Sequence, residues 1–445
     1  MYNFLTSLAA VAVVLGIMVI VHEFGHFAAA KLFRVRVEQF AIGFGKRLFG
    51  FRHGGTDYRV NLLPFGGYVK MAGENPLENR TGDPGEFTSH PRWQRFIIAV
   101  AGPAANVVLA IGLLVGVYMV RYERPTFFTK PADIGWVEPN SPAAKAGIEA
   151  GDRIVRIEGI ADPTWEDVLP KVVLSPGQPV SLTVSHNGQN IDKTITPVPS
   201  GPDEFGVPGW QPKELITVSS VEQGSPAAKA GVQPGDQLIS VNGHPVYAIE
   251  GFIDLVQENA GNPGQLVVRR HGQDLHLTVV PQKKKDERGQ ERYLVGVLTR
   301  PDIEVVKLPF TQAVAASLDD NKKSSLLILQ LVEKMVQRKV SMKQVSGPIG
   351  IARASGEAAR EKGWTPLLQL MSAISLNLAI FNLFPFPILD GGLILMLAIE
   401  AIRRRDISLR VKERVYQLAF VLLVLFAVVI IFNDLAKIPS LQKLP

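Results

Sequence analysis

Three residues near the start of the chain have the types and spacing of a metal site. His22, Glu23 and His26 lie in IVHEFGHFAA, which has the pattern H-E-x-x-H. On a helix, histidines four residues apart project from one face, so both imidazoles can reach one Zn²⁺, with the glutamate beside it as general base. The surrounding stretch is otherwise apolar, and ionisable groups are costly inside a membrane. The pattern indicates a catalytic metal site; a polar patch that pairs with another helix is the alternative.

A catalytic zinc needs a third protein ligand, and Asp390 is the candidate. It lies in NLFPFPILDGG, where Pro385 and Pro387 are expected to break a helix and leave non-helical backbone at membrane depth. His22 is about 27 Å along the helix from Phe4, near the cytoplasmic edge of a ~30 Å hydrocarbon core, and Asp390 falls in the same leaflet. The alternative role for Asp390 is to cap the helix LILMLAIEAI.

Composition indicates a membrane protein with soluble parts. Hydrophobic residues make up 47% of the 445 residues, which is high for a soluble protein and low for a bundle of spanning helices alone. The chain has no cysteine, so a metal must be held by nitrogen and oxygen ligands. The net charge of +6 comes from basic clusters beside apolar stretches, which fits the flanks of membrane spans better than a nucleic-acid partner. We therefore expect no nucleic-acid binding.

Four stretches are long and apolar enough to span a bilayer, namely 4–30, 95–120, 366–388 and 414–433. The first could instead be a signal peptide, but it lacks a basic n-region and a convincing cleavage site. The loops 31–95 and 403–414 are rich in Lys and Arg, so they are expected in the cytoplasm. Both termini and the long stretch 121–365 then lie on the opposite side.

This long stretch contains an internal repeat. VEPNSPAAKAGIEAGDRIVRIEG (137–159) aligns with VEQGSPAAKAGVQPGDQLISVNG (221–243), with Ser141 over Ser225 and Asp152 over Asp236. Each copy predicts a short strand, a helix capped by Ser-Pro, a Gly-Asp turn and another strand. The pattern resembles tandem PDZ domains, which bind an extended peptide by adding a strand to a sheet edge. The alternative is a pair of spacer or filter domains with no ligand of their own.

Further motifs complete a resemblance to a known family: GGYVKM (66–71), AGPAAN (101–106) and the distal NLFPFPILDGG (382–392). Together with HEFGH and the two repeats, they occur in the order typical of the site-2 protease family of intramembrane zinc metalloproteases, over essentially the whole chain. The resemblance implies a multi-pass α-helical membrane protein with four transmembrane helices, a membrane-associated β-loop, and two extracytoplasmic PDZ-like α+β domains.

The resemblance also implies roles for individual residues, namely zinc ligation by His22, His26 and Asp390, general-base catalysis by Glu23, and contact with the scissile carbonyl by Asn382. The alternating stretch YRVNLLPFGGYVKM (58–71) would be the β-loop whose edge pairs with an unwound substrate, with Gly67, Tyr68 and Val69 binding that substrate. An ordinary cytoplasmic hairpin is the alternative for this stretch.

Two other segments receive structural predictions. Gly102, Ala104 and Ala105, with Asn106, are expected to permit close packing of the second span against the first rather than to take part in chemistry. The sequence LLILQLVEKMVQRKV, within 310–345, predicts an amphipathic helix that lies on the membrane surface or packs on the second PDZ-like domain.

The expected division of the chain is a membrane region at 1–125, PDZ-like domains at 126–215 and 216–305, an amphipathic linker region at 306–365, and the last two spans at 366–445. The resemblance implies a bacterial inner-membrane protein with the PDZ-like domains and both termini in the periplasm and the active site toward the cytoplasmic leaflet. The implied partners are single-pass membrane protein substrates, among them an anti-sigma factor and signal-peptide remnants, together with membrane lipid and peptide ligands of the PDZ-like domains.

A second class of function stays open at this point. A membrane-anchored PDZ scaffold or chaperone with a structural metal site would share most of these motifs. Glu23 favours the protease, because structural zinc sites have four closed ligands and need no adjacent base, whereas only three ligands are visible here.

Overall fold

The computed structural model describes residues 2–74, 81–285, 291–361 and 363–437. Within these ranges the helices are α1 (Tyr2–Leu32), α2 (Arg92–Val120), α3 (Pro142–Lys145), α4 (Trp165–Val173), α5 (Pro226–Ala230), α6 (Ile249–Glu258), α7 (Phe310–Val336), α8 (Pro348–Ala358), α9 (Thr365–Asn382), α10 (Asp390–Arg403) and α11 (Leu409–Ala436).

The strands of the same ranges are β1 (Val37–His53), β2 (Thr56–Met71), β3 (Tyr122–Pro125), β4 (Ile134–Val137), β5 (Arg153–Ile157), β6 (Ile160–Ala161), β7 (Val180–His186), β8 (Gln189–Ile195), β9 (Val198–Ser200), β10 (Phe205–Val207), β11 (Trp210–Pro212), β12 (Ile216–Val221), β13 (Gln237–Val241), β14 (His244–Pro245), β15 (Gly264–Arg270), β16 (Gln273–Val279), β17 (Gln282–Lys285), β18 (Glu291–Leu294), β19 (Val297–Pro301) and β20 (Ile303–Val306).

The chain divides into two compact units. The first, called the membrane unit, comprises the described residues within Met1–Tyr122, Lys307–Glu333 and Val345–Pro445. The second, called the repeat unit, comprises those within Glu123–Val306 and Lys334–Gln344. The membrane unit contains the predicted metal-site residues, and the repeat unit contains both copies of the internal repeat.

Four helices of the described chain, α1, α2, α9 and α11, are long and apolar enough to cross a membrane, which agrees with the four predicted spans. The third predicted span is shorter than expected, because α9 ends at Asn382 and not at residue 388. The backbone from 383 to 389 is not helical, and a new helix, α10, begins at Asp390. The break falls where Pro385 and Pro387 predicted it.

Helix α2 is the centre of the membrane unit. The hydroxyl of Ser375 on α9 donates to the backbone oxygen of Asn106 at 2.8 Å, and the hydroxyl of Ser372 donates to that of Ala110 at 2.8 Å. Both serines are buried, and such hydrogen bonds join helices in an apolar surrounding where hydrophobic burial gives little association energy. They fix α9, and the chain break after it, against α2.

Helix α11 is attached by buried charged groups near its two ends. Lys412 forms a 2.8 Å ion pair with Glu400 of α10, and both side chains are at most 9% exposed. Near the other end, the Asp434 carboxylate accepts the backbone N–H groups of Gly347, Ile349 and Gly350, each at 3.0 Å, at the start of α8. A carboxylate at a helix N-terminus is favourable because it satisfies otherwise unpaired N–H groups.

Strands β1 and β2 form a long antiparallel hairpin in the membrane unit. The predicted β-loop (58–71) is therefore one arm of a hairpin that begins at Val37. Phe44, Phe49 and Phe51 of β1 are 47%, 63% and 64% exposed, respectively. These aromatic side chains give the hairpin an exposed apolar surface, and its position at the membrane stays a prediction.

The repeat unit contains two similar β-rich domains. Among the described residues, the first has sheets in the orders β6-β5-β7-β8, β11-β4 and β10-β9. The second has a sheet in the order β16-β15-β13-β12-β19, in which β14 pairs with β13, and a second sheet formed by β17 and β18. The Ser141 and Ser225 hydroxyls each accept an N–H from the first turn of the following helix at 3.2 Å. Strand, capped helix, Gly-Asp turn and second strand thus follow each other in both copies, as the repeat predicts.

Helix α7 extends the predicted amphipathic segment. Its buried residues Ala313, Ser317 and Asn321 lie four apart, and the Ser317 hydroxyl donates to the backbone oxygen of Ile111 on α2 at 2.9 Å. Close to the other end, the Lys334 ammonium donates to the Leu174 oxygen of the first repeat at 2.7 Å. One of the two predicted positions for this helix was on the second PDZ-like domain. The contact of Lys334 is instead with the first domain, so that alternative is corrected.

Candidate metal centre

The structure brings together the three predicted ligands from two distant parts of the chain. The His22 Nε2 atom lies 3.1 Å from Asp390 Oδ2, and the His26 Nε2 atom lies 3.4 Å from Asp390 Oδ1. The two Nε2 atoms are 3.3 Å apart. Both histidines are buried, and one ligand atom from each of the three residues lies within 4.8 Å of the other two.

These distances fit a tetrahedral metal ion. Ligand atoms about 2.0 to 2.2 Å from a zinc ion at tetrahedral angles stand about 3.3 Å from one another. The Asp390 Oδ2 atom is buried and has no hydrogen bond of acceptable geometry among the described residues, despite the nearby imidazole. A cation between these atoms would satisfy that oxygen, and three ligands leave the fourth position of a catalytic zinc open.

The chain break before α10 explains how Asp390 reaches the histidines. Asp390 is the first residue of α10, Leu389 is its N-cap, and no side chain caps this helix. The alternative role of Asp390 as a helix cap is therefore wrong. Gly391 and Gly392 allow the start of α10 to lie against the preceding loop, since a Cβ at either position would come within 2.2 Å of a backbone oxygen of that loop.

Glu23 lies beside the ligands without being one of them. Its Oε2 atom accepts the backbone N–H of Val69 at 3.0 Å, and its Cγ atom is 3.8 Å from the position that a Cβ on Gly67 would occupy. The Val69 N–H therefore points from β2 to α1, so this edge of β2 borders the site. Tyr68, between them, is turned away, and its hydroxyl donates to Gln39 Oε1 at 3.1 Å.

Asn382 also reaches the site, from the last residue of α9. Its Nδ2 atom lies 3.3 Å from His22 Nε2. An amide at this distance from a ligand atom can contact a group that binds at the open metal position. The structure thus places His22, Glu23, His26, Asp390, Asn382, Gly67 and Val69 around one point, and directs the Tyr68 side chain elsewhere.

Two contacts behind the ligands were not visible from the sequence. The His26 Nδ1 atom is 2.7 Å from the backbone oxygen of Ile98, an arrangement that leaves Nε2 free for a metal. The Asn106 amide lies 3.3 Å from His22 Nδ1, although the sequence interpretation gave Asn106 a packing role only. Gly102 does have the predicted packing role, because a Cβ there would lie 2.2 Å from His26 Nε2. Gly102 and Asn106 lie four residues apart on α2, and this spacing could have indicated that both residues face α1.

Comparison with known proteins identifies the family of this chain. The model of peptidase family M50 matches residues 10–426. The chain is 35% identical to "Regulator of sigma-E protease RseP" of Salmonella typhimurium and 35% identical to the protein of that name from Escherichia coli, covering 98% of this chain and 100% of each relative. It is 32% identical, with the same coverage, to a Vibrio cholerae protein named as a zinc metalloprotease.

A solved structure, the PDZ domain of an SdrC-like protein from Listeria monocytogenes, matches 20% of this chain and 90% of its own length at 18% identity. Its TM-score is 0.17, which is too low to support any argument about the fold. The family match and the coverage of the relatives confirm the predicted family, enzyme class and zinc cofactor. The chain belongs to peptidase family M50, the site-2 type of zinc metalloprotease.

Proposed function

We propose that His22, His26 and Asp390 hold the catalytic zinc of this protease and that Glu23 is its general base. The observation that carries the proposal is the tetrahedral spacing of the three ligand atoms, with one oxygen of Asp390 left without a hydrogen bond from any residue that the structure describes. When bound, zinc supplies Lewis-acid polarisation of the scissile carbonyl and of the attacking water.

The remaining chemistry belongs to the protein. The Val69 N–H holds one oxygen of the Glu23 carboxylate, so the other oxygen keeps a fixed direction. In that position Glu23 accepts a proton from the attacking water and returns it to the leaving nitrogen. The Asn382 amide donates a hydrogen bond to the carbonyl oxygen as negative charge develops there.

A transmembrane substrate is helical, so its carbonyls are already hydrogen-bonded and the helix must unwind before cleavage. The edge of β2 at Gly67, Tyr68 and Val69 borders Glu23 and offers backbone groups to an extended segment. We assign substrate binding at the site to this edge. Irregular backbone is tolerated at membrane depth where it pairs with protein in this way.

The proposed substrates are single-pass membrane proteins of a bacterial inner membrane whose outer domains have already been trimmed. The relatives named as regulators of sigma-E protease support an anti-sigma factor as one such substrate, and signal-peptide remnants have the same chemistry. The loops 31–95 and 403–414 are rich in Lys and Arg, which supports a cytoplasmic position for these two loops. The two repeats and both termini then lie in the periplasm, and the active site lies near the cytoplasmic leaflet.

Proteolysis within the membrane is tested by reconstituting the purified protein in liposomes with a single-span model substrate. Mass spectrometry of the products is expected to place the cut inside the transmembrane segment, and removal of zinc with a chelator is expected to stop it. A cut confined to the soluble flanks would contradict intramembrane proteolysis. A protein that binds the substrate at full zinc content without cutting it would favour the scaffold alternative.

The two repeats differ in the groove where PDZ-like domains take up a peptide. In the second repeat, an open groove of about 520 Å³ runs between α6 and β19 and is lined by Phe252, Ile253, Val256, Val297 and Leu298 among others. Leu298 is 65% exposed, so the outer edge of β19 is accessible. We propose that the second repeat binds an extended peptide here by strand addition.

The first repeat lacks one of the N–H groups that the same interaction would use. Pro208 and Val295 occupy equivalent positions, because their carbonyls accept the N–H of Ala143 at 3.0 Å and of Ala227 at 2.9 Å, respectively. A proline at this position has no N–H to offer to a peptide carboxylate. Strand β11 also ends in Pro212, so the first repeat fits the role of a spacer or size filter better than that of a peptide receptor.

A matched pair of variants separates docking from filtering. Val295→Pro copies the first repeat into the second and is expected to raise KM for trimmed substrates, while Pro208→Val leaves KM unchanged. Removal of roughly residues 126–300 is expected to permit cleavage of substrates that keep a folded outer domain. If Val295→Pro leaves KM unchanged, the second repeat does not bind substrate. If the deletion variant does not cut the substrate with a folded outer domain, the repeats do not act as a size filter.

A further inference from the structure

Asn106 carries a buried amide that is only partly satisfied. The residue is 0% exposed, and its Nδ2 atom lies 3.3 Å from His22 Nδ1. Its Oδ1 atom is buried and has no hydrogen-bond partner among the described residues. A buried carbonyl oxygen without a partner is costly, so the arrangement calls for a group that donates to it.

The tautomer that metal binding requires supplies such a donor. The His22 Nε2 atom faces Asp390 Oδ2 and His26 Nε2, so it is the nitrogen that would bind zinc. A neutral imidazole with a metal on Nε2 carries its proton on Nδ1 and must donate there. An amide NH₂ group opposite an N–H is repulsive, whereas the amide oxygen accepts it. Turning the Asn106 amide by half a turn exchanges its oxygen and nitrogen without moving any other atom.

We propose that Asn106 is a positioning residue of the metal centre: in the zinc-loaded protein its Oδ1 atom accepts the Nδ1–H of His22. This hydrogen bond fixes the tautomer and the ring orientation that direct Nε2 to the metal. The inference rests on the ligand set proposed above. It gives His22 the same support that His26 receives from the Ile98 carbonyl at 2.7 Å.

The surroundings hold Asn106 in place for this role. Gly102 and Asn106 lie four residues apart on α2, so the helix places Gly102 against the His26 ring and Asn106 against the His22 ring. The backbone oxygen of Asn106 accepts the Ser375 hydroxyl at 2.8 Å, which ties this turn of α2 to α9. One helix turn therefore supports both metal-binding imidazoles.

The test compares zinc affinity in Asn106→Leu and Asn106→Asp, measured on the whole detergent-solubilised protein by competition with a chelator. Leu has the branched shape of Asn, although it is larger, and it cannot accept a hydrogen bond, so we expect an affinity about 10- to 100-fold weaker. Asp keeps an acceptor toward Nδ1–H, so it should stay within about tenfold of wild type. The d–d spectrum of the Co²⁺-substituted protein should change in the Leu variant and not in the Asp variant.

A packing role predicts the opposite order. A buried charge would then make Asp the damaging substitution and leave Leu close to wild type, and that result overturns the proposal. Thermal unfolding of the metal-free variants identifies a folding defect. If the Leu variant does not fold, Asn106→Gly takes its place, because it also removes the acceptor. Wild-type zinc affinity and an unchanged Co²⁺ spectrum in Asn106→Gly would then overturn the proposal. Ser372→Ala, which removes the hydrogen bond to the Ala110 oxygen one turn away, is the matched control and should keep wild-type affinity and spectrum. If His22→Ala itself keeps stoichiometric zinc, the ligand set is wrong rather than the role of Asn106 alone.

Discussion

Asp390 in the membrane unit and Asp152 in the repeat unit both have a histidine nitrogen close to a carboxylate oxygen, but their surroundings differ. The Asp152 Oδ1 atom lies 2.6 Å from His186 Nδ1, and its Oδ2 atom accepts the Glu149 N–H at 2.9 Å. Both oxygens of Asp152 are therefore satisfied by the protein. Asp390 has two imidazoles, one at each oxygen, and one of those oxygens has no hydrogen bond within the described part of the chain.

The second repeat shows which of these pairs is structural. At the position equivalent to His186 it has Arg270, whose guanidinium donates to both oxygens of Asp236 at 2.7 Å. Asp236 also accepts the Gln233 N–H at 2.9 Å, as Asp152 accepts that of Glu149. An arginine does not ligate a metal, so the repeats need only a donor beside this aspartate. We therefore base the proposed metal site on the convergence of several ligand atoms beside an unsatisfied oxygen, and not on a histidine next to an aspartate alone.

The largest effect that separates the two aspartates is expected in Asp390→Ala. Loss of the third ligand should reduce proteolysis by at least about a thousandfold and weaken zinc retention, since each zinc ligand is needed to form the catalytic site. Asp152→Ala should change neither zinc content nor the rate constant for cleavage, and serves as the control. Elemental analysis and cleavage of a model substrate measure both. Stoichiometric zinc in Asp390→Ala would remove this residue from the ligand set.

A smaller effect should distinguish the two repeats from each other. Arg270→Gln leaves the carboxylate of Asp236 buried with a weaker partner, and we expect it to destabilise the second repeat by about 3 kcal/mol. His186→Gln should cost the first repeat about 1 kcal/mol, because His186 is a third exposed and the Gln amide can donate to the same carboxylate. Urea unfolding of the full protein, followed in each repeat, provides the measurement. Equal losses would show that the charge of Arg270 contributes nothing.

The smallest effect concerns Glu214, a carboxylate in the repeat unit whose buried Oε2 has no partner among the described residues. Burial, with a further contribution from Glu250, raises its pKa to about 7. Since this value lies above that of an unfolded glutamate, the folded state binds more protons, and Glu214 costs stability as pH rises through this range. Glu214→Gln should stabilise the repeat unit at pH 8 by about 1 kcal/mol and have little effect at pH 4. Thermal unfolding at the two pH values checks this, and a gain of equal size at both would refute it.

Much of the site could be predicted from the sequence because its chemistry is local. HEFGH fixes the spacing of His22 and His26 within one helix, and the prolines before LDGG predicted the helix break that precedes Asp390. The repeat was visible because its two copies share their capping serines and Gly-Asp turns. These features depend on neighbours within a few residues of each other.

The contacts behind the ligands could not be predicted in this way. The supports of His22 and His26 come from Asn106 and the Ile98 carbonyl, which lie 84 and 72 residues away along the chain. Backbone carbonyls carry no sequence signal, and which face of α2 meets α1 depends on packing. The hydrogen bonds from the backbone N–H groups at the start of α8 to the Asp434 carboxylate were not predicted for the same reason, since they join residues more than 80 positions apart.

The central claim is that Glu23 acts as the base at a zinc held by His22, His26 and Asp390. The most direct test is Glu23→Gln, which removes the base and keeps all three ligands. We expect purified Glu23→Gln protein to retain stoichiometric zinc and to lose cleavage of a single-span model substrate in liposomes. Cleavage at the wild-type rate, with zinc content unchanged, would contradict the account.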